Sequence, residues 1–289
     1  PVLVDEAPGV HIHFHDEMPL SAMQAGADMS ATSVHKLGGS MTQSSILNVR
    51  GKLVSHKRVR SILSMLTTTS TSYLLLASLD VARKELATRG RELVEQAIQI
   101  ADYIRDHVNE IDHLYCVGDE ILETEAAFDY DPTKLIISVK DLGLTGYDVE
   151  KWLRKHYSIE VEMSDLYNIL CIITAGDTKK DADILIHALR NLAEERKELA
   201  EKVSTQVLLP NIPVLAVTPR DAFYAETELV DFDESEGRII AEFIMVYPPG
   251  IPIFIPGEVI TADNLIYIKK NREAGLPVQG PEDFDFKKL

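Results

Sequence analysis

The chain has 289 residues, 45% of them hydrophobic, with ordinary aromatic and charged contents, so it is globular rather than disordered and long enough for one or two domains. Its formal net charge of −17 repels phosphates and excludes non-specific nucleic-acid binding; the same field favours a cationic substrate, although most of the 46 acidic residues serve solubility. Two cysteines, Cys116 and Cys171, are too few for a disulfide framework and read as packed thiols of a cytoplasmic protein, and no apolar run reaches the ~20 residues of a membrane span.

PVLVD (1–5) predicts a strand of the buried parallel type that ends at Asp5. Such a strand needs neighbours on both edges, and no cap or turn precedes it. The chain is therefore expected to be a fragment, a processed product, the second part of a larger protein, or the result of an experimentally chosen boundary. A loop and short helix are expected over HIHFHDEMPLSAMQAGAD (11–28). His11, His13 and His15 alternate there and would share one face if extended; zinc is conceivable, but a polar loop near the site is the favoured reading. MSATSVHK (29–36) predicts a second strand ending at Lys36, and SSILNVR (44–50) a third. Strands that end at polar residues fit an α/β sheet whose site lies at the strand ends.

Residues 55–113 predict helix. From Leu93, the positions Ala97, Ala101, Ile104, Val108 and Ile111 draw one helical stripe. Residues 115–198 predict a compact α+β module, with strands KLIISV (134–139), IEVEM (159–163) and YNILCIIT (167–174) and a helix over LTGYDVEKWLRKHY (144–157). A further helix is expected to start at Asp177 as N-cap, with Ala182, Leu185, Leu189 and Leu192 on one face. The last part, 205–289, holds the Pro-rich stretches PNIPVLAVTPRDAFYAE (210–226) and YPPGIPIFIPGE (247–258), where extended segments or ordered loops are expected and helices are not. No Gly-rich nucleotide loop is present.

The stretch ATSVHKLGGSMTQSS (31–45) sets Lys36 among small, apolar and hydroxyl-bearing residues. Partial burial disfavours a lysine's ammonium form and frees an amine that condenses with an aldehyde. The obvious aldehyde is pyridoxal phosphate. It needs an acid at its ring nitrogen, donors for its phosphate and packing on its ring faces. Asp5 offers the acid, Ala7 is small enough to lie under a flat ring, and Ser33 and His35 are candidates for the phosphate side. The run TTTSTS (67–72) is another donor set. Each feature alone is bland: an aspartate closing a strand is usually a turn residue, and a hydroxyl run is usually a loop. Their joint order is the signal. Gly38 and Gly39 let the backbone turn closely, and the hydroxyls that follow are expected to fasten the loop.

DEAPGVHIHF, SVHKLGGSMTQSS, LTTTSTSY and YPPGIPIFIPGE resemble the Orn/Lys/Arg decarboxylases of the aspartate-aminotransferase fold, most of all the wingless bacterial arginine decarboxylases of polyamine and spermidine synthesis. The resemblance spans the whole chain. It implies an α/β fold in which residues 1–113 are the later part of the pyridoxal-phosphate-binding large domain and residues 114–289 a C-terminal α+β domain with a Pro-rich closing segment. It implies that Lys36 bonds the cofactor, Asp5 pairs with its ring nitrogen, Ala7 packs on the ring, and Ser33 and His35 hold the phosphate and ring. Thr68 is implied to reach the phosphate of a neighbouring subunit, which makes the enzyme at least a homodimer with shared sites. Glu258 is a weak candidate for attracting the substrate's distal cation, with a loop hydrogen bond as its equal alternative. No metal is implied.

The implied reaction is decarboxylation of a basic amino acid: arginine to agmatine first, then lysine, then ornithine. Two departures stand out. Pro8 replaces the His or aromatic residue the family commonly carries, and the family's long N-terminal segment is absent. A non-catalytic half that needs that segment is the alternative outside enzymes. Transamination is the alternative within them; it calls for a clamp arginine, and only Arg220 and Arg238 are candidates in the C-terminal part.

Overall fold

A computed structural model describes residues 1–196, 210–246, 250–273 and 276–289. They form two compact units, one from residues 1–162 and 166–196, the other from 163–165 and the described residues from 210 onward.

The first unit opens with β1 (Leu3–Asp5), which runs parallel to β2 (Met29–Thr32), while β3 (Ile46–Val49) pairs antiparallel with β2. The second strand stops at Thr32, four residues short of the lysine at which it was expected to end. Lys36 lies instead on the one-turn helix α1 (Val34–Leu37). The turn closes because Gly38 N–H bonds Val34 O at 2.8 Å, and a Cβ at Gly38 would meet that oxygen at 2.7 Å. The histidine stretch is a 3₁₀ turn over Val10–Phe14, not an extended segment, so its histidines do not share one face.

The predicted helical region is two helices, α2 (His56–Leu66) and α3 (Tyr73–Asn109), with the hydroxyl run in the break. Ser55 and Ser72 cap them, their side chains accepting from Arg58 N–H and Leu75 N–H. At ~1.5 Å per residue, the 37 residues of α3 make a long spine. Its stripe Ala97, Ala101, Ile104 and Val108 is buried as expected, and Phe14 packs where a Cβ on Gly90 would lie, 2.7 Å from its ring.

That stripe continues into the core of β4 (Tyr115–Cys116), β5 (Lys134–Ser138), α4 (Gly146–Tyr157), β7 (Asn168–Ile172) and α5 (Lys179–Arg196), with β5 between β4 and β7 in an antiparallel sheet. The hydrophobic cluster thus crosses 113/114, and the compact unit does not divide there. IEVEM is not a strand beyond Met163, which lies in the two-residue β6 (Met163–Ser164). Ser158 closes α4 in the left-handed conformation and Ile159 N–H returns to Leu153 O, so this segment serves the helix end while Ile159 and Val161 pack on the core. Asp177 is not the cap of α5. Its carboxylate turns back to Thr174, and Thr178 with Asp181 brackets the helix start.

In the second unit, β8 (Ile244–Val246) pairs with β9 (Ile251–Phe254) and β10 (Val278–Gln279), and α7 (Ala262–Glu273) contributes Leu265 and Ile268 to a core with Phe232, Ile244 and Phe254. A helix does occur in the Pro-rich block: α6 (Pro219–Tyr224) starts on Pro219, where a missing N–H costs nothing, and Thr218 caps it. Residues 247–249 of YPPGIPIFIPGE lie outside the described residues. Among the described residues no helix is long and apolar enough to cross a membrane.

Candidate functional site

The parallel strands β1 and β2 end side by side, with Asp5 opposite Ala31. Beyond that point Glu6 N–H bonds Ala31 O at 2.9 Å and Ser33 N–H bonds Ala7 O at 3.1 Å. Asp5, Ala7 and the Ser33–Lys36 turn therefore meet at one strand-end edge. Asp5 is exposed, and its Oδ1 accepts from Ala7 N–H at 3.0 Å, which orients the carboxylate. Ser33 precedes α1 without spending its hydroxyl on a cap.

Helix α1 turns Val34 inward against Val10, Ala82 and Leu86. Lys36 then points away from that core and is exposed. The expected partial burial of Lys36 is not present in the described residues: they cover α1 on its Val34 side and leave the lysine side open.

His35 Nδ1 lies 2.9 Å from Ser44 O. A carbonyl only accepts, so Nδ1 carries the proton and neutral Nε2 is an acceptor. His35 thus donates to a phosphate at Nε2 only as an imidazolium. The loop after Lys36 is fastened by its own hydroxyls. Ser44 Oγ donates to Met41 O at 2.6 Å, and Met41 N–H reaches Ser78 Oγ on α3 at 3.1 Å. Gly39 takes φ 83°, the left-handed conformation that glycine tolerates.

The histidine turn braces this edge from behind. His15 Nδ1 accepts from Glu17 N–H at 3.2 Å, so Nε2–H donates to Glu95 of α3 at 2.6 Å. His11 Nε2 lies 2.8 Å from Asp131 Oδ2, which Lys134 Nζ also meets at 2.8 Å, while the Thr133 hydroxyl donates to Oδ1 at 2.6 Å. Burial alone pushes the Asp131 carboxyl up; the bonds and charges of His11 and Lys134 outweigh it and hold the group well below the usual carboxylate range. His13 is exposed, and among the described residues no cluster of metal-ligating side chains occurs.

Other predicted residues stand apart. Thr68 is exposed in the break between α2 and α3, its Oγ1 accepting from Ser70 N–H at 3.1 Å. In the second unit Glu258 is buried, and its Oε2 accepts from Ile255 N–H at 2.8 Å, the loop hydrogen bond named as its alternative role. Arg220 is exposed and Arg238 pairs with Glu228. Residues missed in the sequence are Glu6 and Asp131. Glu6 had a signal: it directly follows Asp5 at the strand end, and successive side chains of extended chain alternate between faces.

A carboxylate, an amine, a hydroxyl, an imidazole and a small side chain at one strand-end edge match in kind what pyridoxal phosphate requires, and the residues fit the group. The family model "Orn/Lys/Arg decarboxylase, major domain" matches residues 1–181, and the C-terminal domain of the same family matches residues 197–278. The chain belongs to the Orn/Lys/Arg decarboxylase family. Within this family, an arginine decarboxylase of Halalkalibacterium halodurans is 70% identical over all of the chain, which covers 59% of that protein. One of Bacillus subtilis is 70% identical over 98% of the chain and 58% of the relative. The inducible lysine decarboxylase of Escherichia coli is 26% identical over 80% of the chain and 43% of its own length. The chain thus spans less than two thirds of the curated relatives it matches. The solved Francisella novicida lysine decarboxylase superposes with a TM-score of 0.80 at 23% identity, covering 99% of this chain and 52% of that one, which shows the shared α/β fold.

Proposed function

We propose that this chain carries the lysine-bearing part of a pyridoxal-phosphate-dependent decarboxylase whose substrate is a basic amino acid, arginine before lysine or ornithine. The observation that carries the reading is the meeting of Asp5, Ala7 and the Ser33–Lys36 turn at the ends of β1 and β2. The 70% identity to arginine decarboxylases, against 26% to a lysine decarboxylase, supports the order of substrates. An amine-forming step of polyamine synthesis in the cytoplasm is the setting that fits such an activity.

When bound, pyridoxal phosphate supplies an aldehyde for the substrate's amine and a ring that accepts the electron pair left as carbon dioxide departs. The chain's own residues do the rest. Lys36 Nζ would anchor the cofactor and would hold the proton that replaces the departing carboxylate. Asp5, oriented by Ala7 N–H, would pair with the ring nitrogen and keep a proton there. Ala7 leaves room for the ring. The Ser33 hydroxyl and His35 would hold the phosphate. The chain's negative charge raises the local concentration of a substrate with net positive charge.

The site is completed by further chain, from an N-terminal segment and from a second copy that meets Thr68. Exposed Lys36 supports this, as do exposed Leu3 on β1 with Val2 just before it, and a helix α2 that buries no side chain. Glu258 remains a weaker candidate for the substrate's distal cation. The test is carbon dioxide release from arginine, lysine and ornithine by the complete native protein. Arginine is expected to give the highest kcat/KM; aminotransfer to a keto acid without carbon dioxide release contradicts the proposal.

A further inference from the structure

Glu6 is a buried ionisable residue with no part in the mechanism above. It is 8% exposed, although its neighbours Asp5 and Pro8 are exposed. Three of its atoms are anchors. Its N–H bonds Ala31 O on β2, its carbonyl accepts from Gly9 N–H at 2.9 Å, and its Oε1 accepts from Ala22 N–H at 2.7 Å. The other carboxyl oxygen, Oε2, is buried and has no hydrogen-bond partner among the described residues. Keeping such an oxygen away from water costs free energy that an apolar side chain would avoid.

The anchored turn carries the site. Ala7, one residue on, gives its N–H to Asp5 Oδ1 and its carbonyl to Ser33 N–H. Moving the turn therefore moves the carboxylate, the ring platform and the start of the lysine-bearing helix together. Gly9 closes the turn over the Glu6 side chain. A Cβ there would meet Glu6 Cγ at 2.5 Å, although φ of −106° is open to any residue.

We infer that Glu6 is a positioning residue for the cofactor site, acting through Ala7 on Asp5 and Ser33 by clamping the strand-end turn to Ala22. The inference rests on the proposed function for the meaning of that site. Its geometry does not.

Two readouts separate the two. Amide hydrogen exchange over residues 3–9 and 31–36 reports the turn, and a pyridoxal phosphate titration followed by cofactor absorbance reports the site, both in the complete native protein. Glu6→Ala removes the acceptor. Glu6→Gln keeps an oxygen for Ala22 N–H and exchanges one unpartnered atom for another. Gly9→Ala keeps the carboxylate but pushes it, and serves if Glu6→Ala does not fold. Glu6→Ala and Gly9→Ala are expected to speed exchange in both segments and weaken cofactor binding by about tenfold or more, the usual effect of loosening a supporting shell. Glu6→Gln is expected to restore both. Faster exchange with unchanged cofactor binding overturns the positioning role, as does unchanged exchange in both variants. If the parent protein binds no cofactor while Glu6→Ala loses protection and Glu6→Gln regains it, the proposed function falls and the clamp on the turn stands.

Discussion

Buried apolar side chains from Ala97 on α3 through Leu135, Ile137 and Leu189 to Ala193 gather into one continuous cluster. Those around Lys36 form two small groups, Val10 with Val34, Ala82 and Leu86, and Ile12 with Met18, Val94 and Ile98. The first region holds itself together by burial. The second is held by specific bonds: Glu6 to Ala22, His35 to Ser44, His15 to Glu95 and His11 to Asp131. The proposed site at the strand ends must stay open to its ligands, so polar struts there replace the packing that would fill it. The difference also explains where function and stability part company, and it is open to attack from both sides.

The sharpest break comes from Lys36→Ala. Loss of the group proposed to anchor the cofactor and carry the proton is expected to cut decarboxylation by about 10³-fold or more. The side chain is exposed, so stability should move by no more than about 0.5 kcal/mol. Thermal melting and carbon dioxide release on the same sample check both halves.

Leu135→Ala inverts the pattern. This residue is fully buried in the sheet, and its truncation is expected to cost about 2–5 kcal/mol in denaturant unfolding. Activity per folded molecule should stay near the parent's. Asp131→Ala tests a strut between the two regions. It strands His11 and Lys134 without their carboxylate and is expected to cost about 3 kcal/mol.

The same carboxyl gives a pH signature. Its folded pKa is depressed, so its stabilisation is complete above the ordinary carboxylate value of ~4 and is lost as pH falls toward the folded value. The melting temperature of the parent should fall more steeply than that of Asp131→Asn between about pH 5 and pH 2. The smallest effect concerns the thiols. Burial pushes Cys116 up to about 11 and Cys171 up to about 12. At pH 8 Cys116 is thiolate on the order of 0.1% of the time, so a thiol reagent should label either cysteine only after unfolding.

Legibility in the sequence follows the same division. The α3 stripe, β5, β7 and the face of α5 were readable because periodic burial writes itself into residue order. Strand β1 was readable, and Asp5, Ala7, Ser33, His35 and Lys36, singled out as a joint motif, do lie at one strand-end edge. The one-turn helix under Lys36 was not, since it depends on Gly38 meeting Val34 O. Nor was α6, where Pro219 begins a helix rather than forbidding one. The partners of His11, His15 and Glu6 were hidden for a different reason: their bonds join residues distant in the chain or, for Glu6, depend on the path of a turn.

The central claim is that Lys36 carries the cofactor. Borohydride reduction of the complete native protein with pyridoxal phosphate, followed by peptide mass mapping, tests it most directly. The account predicts a phosphopyridoxyl group on Lys36. An adduct on another lysine with Lys36 unmodified, or no adduct at all, would contradict it.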